Sequence, residues 1–595
     1  MRSGQRVFIG TGCGQPQTLV DALLSRAAKL DDVEIIHLLT LGAPPYRHLE
    51  LAKHFRINSF FIASDFGPQA AQVGNYTPVF LSDITRLLRT GRLPIDVALI
   101  QVTPPDEHEM CSLGVSVDIT KSAAENAALV IAEVNPQMPW TLGDSLLSIH
   151  DIDIIVLSDR PLIEAALPEP TETCRRIAEY VAALIPDGCT LALGADSISV
   201  AVLQSLQDKR ELGIHTEVLS DAIVDLLDAG AITGQRKTID SGKIVATLCM
   251  GSRRLFDRLD RDPILCIQPA EYVSDPRLIS RQHDMVAIST ATEVDLTGQV
   301  CASLFADRSF AGIGDHMDFI HGAARAPGGK SVVALESTRS NASASRIVAR
   351  LSGGANVTAT CCEVHYVVTE FGVAYLHGKS LQERALALIS IAHPDFRAVL
   401  LEEAIKSNYV SPDLAAIEGK VFVGPQKLLT SLLLEDGTKI SFRPMHPTDE
   451  RPVRDLLHSL SPESFHHRFM SNMMRLPQKQ IQDFVYIDYR SEMAIVGTLP
   501  EAHGEQIIAI GRYYLNPQTN RAEVAMVVRD RWQNRGIGTF LMKYLMAVAK
   551  RNGITGFTAE VLKDNRQTLA MLHKTGCRIR SRLEDDVYRF ELDFL

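Results

Sequence analysis

Short apolar runs alternate with amphipathic segments through the first two-thirds of the chain. Four of these runs, at 33–41, 94–102, 127–134 and 151–157, predict buried parallel strands. Between them lie stretches with helical spacing, such as 18–30. This alternation predicts βαβ units, and therefore an open parallel sheet with helices on both faces.

A stretch rich in Pro and Glu at 161–174 predicts a linker, because it interrupts the alternation. The pattern then resumes with predicted strands at 189–194, 243–251, 285–290 and 330–335. These strands indicate a second α/β lobe. We expect an active site in the cleft between the two lobes, where strand ends and loops meet.

The pattern changes again near Thr438, where antiparallel-type strands surround one glycine turn and one long helix. This change indicates a separate α+β domain. The predicted fold class is therefore α/β, with two open α/β lobes followed by an α+β unit. The predicted domains are 1–170, 171–428 and 438–595.

Composition narrows the classes of function. A chain of 595 residues is too long to form a single hydrophobic core. Its net charge of −11 argues against a general nucleic-acid binder. The ten cysteines lack metal-ligand spacing, so reduced thiols and no metal are expected. The start of the chain lacks a signal pattern, and no apolar run is long enough to cross a membrane. We therefore expect a cytoplasmic protein without a membrane partner.

One carboxylate in the second lobe gains significance from its context. By pattern alone Glu217 is an ordinary polar residue before an apolar stretch. The surrounding chain, however, resembles the acetyl-CoA hydrolase/transferase family, which includes 4-hydroxybutyrate and butyryl-CoA:acetate CoA-transferases, over residues 5–425. The resemblance rests on collinear segments at 111–118, 132–145, 212–221, 293–300, 312–323, 328–335 and 364–397. It implies that Glu217, in the family's H-[ST]-E segment, is the nucleophile.

A carboxylate suits this chemistry, because it is ionised at neutral pH and needs no separate base. It attacks the thioester to give an acyl-glutamyl anhydride and CoA thiolate, and then a glutamyl-CoA thioester. A second carboxylate completes CoA transfer, whereas water gives hydrolysis. The implied substrates are acyl-CoA and small carboxylates, and the choice between transfer and hydrolysis stays open.

Two glycine turns are candidates for binding the acyl group or CoA, since backbone N–H groups stabilise an oxyanion. One contains Gly194, and the other contains Gly312 and Gly314. Without the resemblance, both read as ordinary strand–helix turns. The family signature VTEFG adds Glu370 and Gly372, with a structural turn as the alternative.

The chain departs from the family pattern in both turns. Asp196 stands where the family has a glycine, and Ser199 stands where it has a proline. In the second turn, Asp315 and His316 replace a glycine and a glutamine. An added carboxylate opposes an oxyanion or a CoA phosphate. These changes therefore predict either an altered acyl preference or a slow, partly regulatory lobe.

The C-terminal part carries a sharper signal, in which an apolar strand leads through a glycine turn into an amphipathic helix. Backbone N–H groups at a helix N-terminus, approached closely through glycines, bind a diphosphate without a metal. The [QR]-x-x-G-x-[GA] pattern resembles the GNAT acetyltransferase superfamily and implies acetyl-CoA as the substrate. The predicted binding residues are Val527, Val528, Gln533, Asn534, Arg535, Gly536, Ile537, Gly538, Thr539 and Asn565.

Segments at 442–450 and 459–469 also resemble the bacterial protein-lysine acetyltransferases. By position, this likeness implies Glu523 as the general base that takes a proton from the amine, with an exposed strand carboxylate as the alternative. The place after Asn565 where many relatives carry a tyrosine lacks one, so no general acid stands out. His466–Arg468 are interpreted as a solvated helix face rather than metal ligands, because adjacent residues lie on different helix faces.

The leading hypothesis is a bifunctional enzyme that transfers or hydrolyses small acyl-CoA and acetylates an amine, with protein lysine as the favoured acceptor. One alternative is that the front part is a weakened CoA-transferase, which senses acyl-CoA for a catalytically active C-terminal domain. Another is a tail that only binds CoA as a regulatory module. The sequence leaves the oligomeric state open, with a homodimer among the alternatives.

Overall fold

The computed structural model describes residues 1–41, 51, 53–61, 74–167, 169–302, 314–339, 343–353, 355–412, 428–446, 449–470, 476, 478–489, 491–501 and 504–594. These residues form two compact units, 1–379 and 380–595. The division predicted from the sequence, at 1–170, 171–428 and 438–595, stays a prediction.

The first unit begins with a seven-stranded, all-parallel sheet. Its strand order is β4-β3-β2-β1-β5-β7-β9, and β6 and β8 form a separate antiparallel pair. Val7 lies opposite Val97, and Val97 opposite Leu129, so apolar side chains continue across the sheet centre. The strands are β1 (Arg6–Ile9), β2 (Val33–His37), β3 (Phe55–Ser59), β4 (Gly74–Tyr76), β5 (Ile95–Val102), β6 (Met110–Ser112), β7 (Ala127–Val134), β8 (Leu146–Ser148) and β9 (Ile154–Leu157).

A second, six-stranded sheet follows in the same unit. Its order is β11-β10-β16-β19-β21-β22, parallel except for the edge strand β22. The carboxyl ends of β11, β10 and β16 therefore lie side by side. The strands are β10 (Thr190–Leu193), β11 (Gly213–Ile214), β12 (Val218–Leu219), β13 (Ile244–Ala246), β14 (Leu248–Cys249), β15 (Leu265–Ile267), β16 (Met285–Thr290), β17 (Glu293–Asp295), β18 (Val300–Cys301), β19 (Lys330–Ala334), β20 (Ile347–Val348), β21 (Tyr366–Thr369) and β22 (Gly372–Tyr375).

Helices connect these strands, and one continuous apolar cluster extends from Phe8 in the first sheet to Val368 in the second. Burial of this cluster provides the main favourable term in folding. The α-helices of the unit are Gln17–Ser25, Leu81–Arg89, Thr120–Asn126, Glu172–Leu184, Ser197–Gln204, Asp221–Asp228, Arg253–Leu259, Ala270–Val273, Pro276–Ile279 and Gly314–Ala323.

Two predicted strands differ from expectation. The run 151–157 was predicted as a buried strand, but β9 is a sheet edge on which Leu157 is 80% exposed. The run 243–251 is divided into β13 and β14, which pair with β15 and β12 outside the main sheet. Both errors have one cause, since an apolar run of this length does not reveal how many neighbours a strand has.

The second unit contains an eight-stranded sheet in the order β23-β24-β25-β26-β27-β28-β30-β29. Only β27 and β28 pair in parallel. Its strands are β23 (Thr430–Leu433), β24 (Lys439–Pro444), β25 (Glu492–Glu501), β26 (Gly504–Asn516), β27 (Arg521–Val528), β28 (Gly556–Leu562), β29 (Arg578–Glu584) and β30 (Val587–Asp593). Its α-helices are Leu381–Ile391, Pro394–Lys406, Glu450–His458, Pro462–Phe469, Gln478–Val485, Ile537–Arg551 and Arg566–His573.

The predicted class is confirmed: two parallel α/β sheets precede an α+β unit. In the second unit the buried face of helix Ile537–Arg551 packs into the same core as Phe442, Ile508 and Phe557 of the sheet. Within the described ranges, no helix combines the length and apolar character that crossing a membrane requires.

Candidate active sites

Glu217 lies on the short connection between β11 and β12, beside the carboxyl ends of β10 and β16. Its half-buried side chain lines a cavity of about 20 Å³ together with Gly194, Ser289 and Phe319. This volume holds about one water molecule, so the cavity that the described residues form is too small to enclose an acyl group. All described lining residues fall within 192–319, so a location in the cleft between two lobes stays a prediction.

The backbone of Glu217 is held by hydrogen bonds from the junction between β13 and β14. Its carbonyl oxygen accepts hydrogen bonds from the N–H groups of Thr247 (3.1 Å) and Leu248 (3.0 Å). The carbonyl of Thr247 in turn accepts from the N–H groups of Val117 and Asp118 (3.2 Å each). The loop after β6 thus supports the Glu217 segment indirectly, through the backbone of Thr247.

The two residues before Glu217 are anchored by their side chains. Thr216, 2% exposed, donates its hydroxyl proton to the carbonyl of Leu193 (2.8 Å) and accepts from the N–H of Leu193 (3.1 Å). Nε2 of the buried His215 lies 2.8 Å from the carbonyl oxygen of Val273. Burial, reinforced by the charge of Lys237, lowers the pKa of His215 to about 4. His215 is therefore a neutral donor, and the segment is fixed on both sides.

The family departures at Asp196 and Ser199 form one hydrogen-bonded cap. Asp196 is the N-cap of helix Ser197–Gln204, and its Oδ1 accepts from the N–H groups of Ile198 (2.9 Å) and Ser199 (3.0 Å). The Ser199 hydroxyl donates to Oδ2 (2.9 Å). The carboxylate therefore occupies two of the helix's first amides, which an external anion would otherwise bind. Gly194 is the residue of this turn that faces Glu217.

The other residues of the front part that are predicted to bind the acyl group or CoA lie partly outside the described residues. Gly312 lies outside the described residues. Gly314, Asp315 and His316 begin helix Gly314–Ala323, but nothing is described of their side-chain surroundings. Phe319, one turn further along this helix, does line the Glu217 cavity.

Glu370 and Gly372 sit at the end of β21 and the start of β22. The buried Glu370 accepts from the N–H (2.9 Å) and the hydroxyl (2.6 Å) of Ser337. Gly372 has φ of 143°, a conformation that favours glycine. Neither residue is among those described as lining the Glu217 cavity, and Glu370 fixes the segment after β19.

In the second unit, a cavity opens where two parallel strands separate. β27 pairs with β28 only through Arg521–Glu523 and Gly556–Thr558. Beyond that point, 524–528 and 559–561 line opposite walls of a cavity of about 480 Å³. Val527 and Val528, which are predicted to bind the cofactor, are in this wall. A pocket of this volume is typical for a ligand of cofactor size.

The predicted glycine turn forms one end of this cavity. Asn534 and Gly536 have φ of 60° and 81°, and helix Ile537–Arg551 follows with no side chain capping its first turn. The residues of the turn that line the cavity are Gln533, Asn534, Gly536, Ile537, Gly538 and Thr539. This helix N-terminus therefore presents amides and the positive end of its dipole to the cavity.

Three of the residues that are predicted to bind acetyl-CoA make side-chain contacts of their own within the protein. The side-chain amide of Gln533 donates to the carbonyl of Val528 (3.0 Å), which closes the turn. Arg535 is not among the described lining residues and pairs with Asp436 at 2.9 Å. Asn565 lines the cavity and caps helix Arg566–His573 by accepting from the N–H of Thr568 (3.1 Å).

Glu523 lies where β27 and β28 part, and its exposed side chain also lines the cavity. It stands directly opposite Tyr514 of β26. The distance along β27 from Glu523 to Val528 is about 17 Å at the usual rise per residue. The carboxylate and the glycine turn therefore occupy opposite ends of the cavity.

Helix Pro462–Phe469 supplies lining residues that pattern reasoning missed. His467, Arg468 and Phe469 line the cavity, so the interpretation of 466–468 as a solvated face is wrong for this part of the helix. The available signal was spacing, because Arg468 and Phe469 lie three and four residues after the buried Phe465, on one face. The described residues contain no group of three or more side chains suited to hold a metal.

Residues 1–166 match the acetyl-CoA hydrolase/transferase N-terminal domain, and 251–404 match the C-terminal domain of the same family. A 4-hydroxybutyrate coenzyme A transferase of Clostridium kluyveri is 44% identical over 400 residues, covering 67% of this chain and 93% of that protein. The crystal structure of a 4-hydroxybutyrate CoA-transferase from Porphyromonas gingivalis is 36% identical, with a TM-score of 0.59 over 68% of this chain and 94% of that one. The chain therefore belongs to the acetyl-CoA hydrolase/transferase family.

The C-terminal part has its own relatives. Residues 454–577 match the acetyltransferase (GNAT) family. An acetyltransferase of Pseudomonas aeruginosa is 29% identical over 143 residues, which is 24% of this chain and 73% of that protein. The resemblances to the acetyl-CoA hydrolase/transferase family and to the GNAT acetyltransferases are confirmed. The chain combines an acyl-CoA transferase or hydrolase part with a GNAT domain, and both families use CoA thioesters as substrates.

Proposed function

We propose that the chain is a bifunctional enzyme. The first unit transfers CoA between small acyl-CoA thioesters and carboxylates through Glu217. The second unit transfers acetyl from acetyl-CoA to a lysine side chain of a protein, with Glu523 as the base. The observation that supports the first activity is a carboxylate facing a cavity at three strand ends.

In the first activity, a Glu217 carboxylate oxygen attacks the thioester carbonyl, and the C–S bond breaks to release CoA thiolate. The thiolate attacks the glutamyl carbonyl of the anhydride, which releases the first acid and leaves glutamyl-CoA. An incoming carboxylate then repeats the two steps in reverse and regenerates Glu217. Water in place of the second acid gives hydrolysis, so exclusion of water decides between the outcomes.

In the second activity, the turn at 533–538 holds the diphosphate and the separated strands hold the extended arm of CoA. Glu523 accepts a proton from the lysine ammonium, directly or through one water. The free amine attacks the acetyl carbonyl, a C–N bond forms and the C–S bond breaks. The leaving thiolate takes up a proton. The proposal is supported by the placement of the carboxylate and the turn at opposite ends of one cavity.

Incubation with labelled acetyl-CoA, with and without propionate, tests the first activity. We expect propionyl-CoA to form only when propionate is present, and Glu217→Gln to reduce this by at least about a thousandfold. Glu211→Gln is the matched control, because Glu211 is an exposed carboxylate in the same segment. Equal turnover by wild type and Glu217→Gln would refute the proposal.

Detection of acetyl-lysine on protein acceptors tests the second activity. Glu523→Gln is expected to lower acetylation by about 10²–10⁴-fold while acetyl-CoA still binds. Glu591→Gln serves as control, since Glu591 is an exposed carboxylate on β30. If wild type binds acetyl-CoA but acetylates nothing, the tail is a regulatory binding module instead.

A specific observation favours one second candidate for the front part. The Asp196 carboxylate already occupies helix amides beside Glu217, which weakens the turn as an anion site. The first unit would then sense acyl-CoA for an active acetyltransferase. Acyl-CoA binding without turnover, together with a changed acetylation rate, would support this candidate over CoA transfer.

We also propose a cytoplasmic location. All ten cysteines are free thiols, and six of them are buried. Such a set is typical of a reducing compartment. Localisation of a tagged full-length chain by cell fractionation would test this.

A further inference from the structure

Arg468 holds an unusual position in the acetyl-CoA cavity. It lines the cavity from helix Pro462–Phe469, and its guanidinium carbon lies 4.9 Å from the ring centre of Phe469 and 5.5 Å from that of Phe484. Aromatic faces attract a cation but do not neutralise it. Among the described residues, no carboxylate lies within ion-pairing distance of Arg468, and its buried Nε has no hydrogen-bond partner.

The neighbouring Arg512 has a carbonyl and a carboxylate as partners, although its buried Nε also lacks a hydrogen-bond partner. Arg512, 1% exposed, also stacks on Phe484, but it bonds the carbonyl of Phe484 (2.9 Å) and pairs with Glu492 (3.3 Å). Arg468 lacks such partners in the described part of the chain. A partly buried charge with no described carboxylate partner is costly, so this position favours a ligand that supplies the counter-charge.

The location of Arg468 in the cavity indicates which ligand supplies the counter-charge. Burial, and then the charge of Arg512, lowers the pKa of Arg468 to about 10, so it stays charged at neutral pH. Arg468 and Arg512 lie over the same Phe484 ring, and the guanidinium carbon of Arg512 also lies 4.8 Å from the ring centre of Tyr514. Tyr514 pairs with Glu523 at the end of β27 opposite the glycine turn. The glycine turn offers the uncapped amides of helix Ile537–Arg551 to the CoA diphosphate, so that group does not require Arg468. The remaining candidate is the acceptor that delivers its amine to Glu523.

We propose that Arg468 is a specificity-determining residue that selects an acceptor lysine lying next to an aspartate or glutamate. The incoming carboxylate pairs with the guanidinium while the lysine amine reaches Glu523. This inference rests on the proposed lysine acetylation. It adds that the favoured target sites are acidic, which the acetyl transfer step itself does not require.

Synthetic peptides test the inference with the full-length chain. Each pair of peptides carries one lysine, flanked by aspartate in one member and by asparagine in the other. A charge-assisted hydrogen bond predicts that wild type favours the aspartate peptide by about tenfold to hundredfold in kcat/KM. Arg468→Met is expected to lose this preference through a raised peptide KM rather than through a lower kcat.

A charge reversal sharpens the test. Arg468→Glu is expected to favour lysine peptides flanked by arginine over those flanked by aspartate. Arg582→Met is the matched control, because Arg582 is an exposed arginine on β29 that is not among the cavity-lining residues. It is expected to retain the wild-type preference.

The outcomes separate two failures. If wild type acetylates both members of each pair equally, the inference about Arg468 is overturned while lysine acetylation stands. If wild type acetylates none of the peptides or proteins, the proposed function fails and the inference falls with it. The wild-type comparison needs no variant, so misfolding of Arg468→Met would not protect the inference.

Discussion

Replacing Thr216 with valine tests how the segment around Glu217 is anchored, and it leaves the proposed nucleophile itself unchanged. Valine nearly preserves the shape of threonine but removes the hydroxyl that donates to the Leu193 carbonyl and accepts from the Leu193 N–H. Both backbone groups stay buried, and each unsatisfied group costs about 1–3 kcal/mol. The loss therefore totals about 2–6 kcal/mol if neither group finds a new partner.

This energy acts where the catalytic geometry is set. Leu193 precedes Gly194, and Glu217 follows Thr216, so the two lost bonds join the turn to the proposed nucleophile. A rate factor of ten corresponds to about 1.4 kcal/mol. We expect Thr216→Val to lower kcat for CoA transfer by about ten- to a hundredfold, since part of the cost appears as lower stability.

The assay is steady-state transfer from acetyl-CoA to propionate, with thermal unfolding measured in parallel. Thr216→Ser retains the hydroxyl and is expected to keep kcat within about threefold of wild type. A folded Thr216→Val variant with wild-type kcat would refute the reasoning that this hydroxyl positions Glu217.

Three further predictions concern stability and cofactor binding. Asp196→Ala removes the helix cap and is expected to destabilise the chain by about 0.5–2 kcal/mol in denaturant unfolding, whereas Asp196→Asn keeps most of the cap; equal stability of the two variants would contradict this. Gly536→Ala places a side chain at φ of 81°, costs about 1–2 kcal/mol, and is expected to raise the KM for acetyl-CoA about tenfold; an unchanged KM would contradict it. His215 has its pKa lowered to about 4, so the unfolded chain binds a proton more readily below pH 6.5, and stability falls as pH drops from 6.5 towards 4. At pH 5 this loss is about 2 kcal/mol relative to His215→Gln, which has no such proton uptake, and parallel pH profiles of unfolding for the two proteins would contradict it.

Local signals were recoverable from the sequence, and features set by tertiary packing were not. The turn at 533–538 was predictable because its glycines, strand and helix are adjacent along the chain. The role of Arg468 was not, because it depends on Phe484 and on where β27 meets helix Pro462–Phe469. Likewise, composition does not distinguish an edge strand such as β9 from a central one.

The site around Glu217 illustrates the same division. Its identity as the candidate nucleophile came from resemblance, since a lone carboxylate carries no signal of its own. The structural part became visible only in three dimensions: Thr216 anchors Leu193, and Asp196 turns inward to cap a helix. The Thr216–Leu193 bonds are not implied by spacing, because the two residues are far apart along the chain, whereas the Asp196 cap is local.

The central claim is that Glu217 carries CoA covalently during turnover. Borohydride added to the chain and acetyl-CoA reduces a glutamyl-CoA thioester to an alcohol and stops activity. Mass spectrometry of the peptide containing Glu217 is then expected to show the mass decrease of carboxyl-to-alcohol conversion at that residue alone. An unmodified Glu217 peptide from a chain that is still turning over acetyl-CoA would contradict the account.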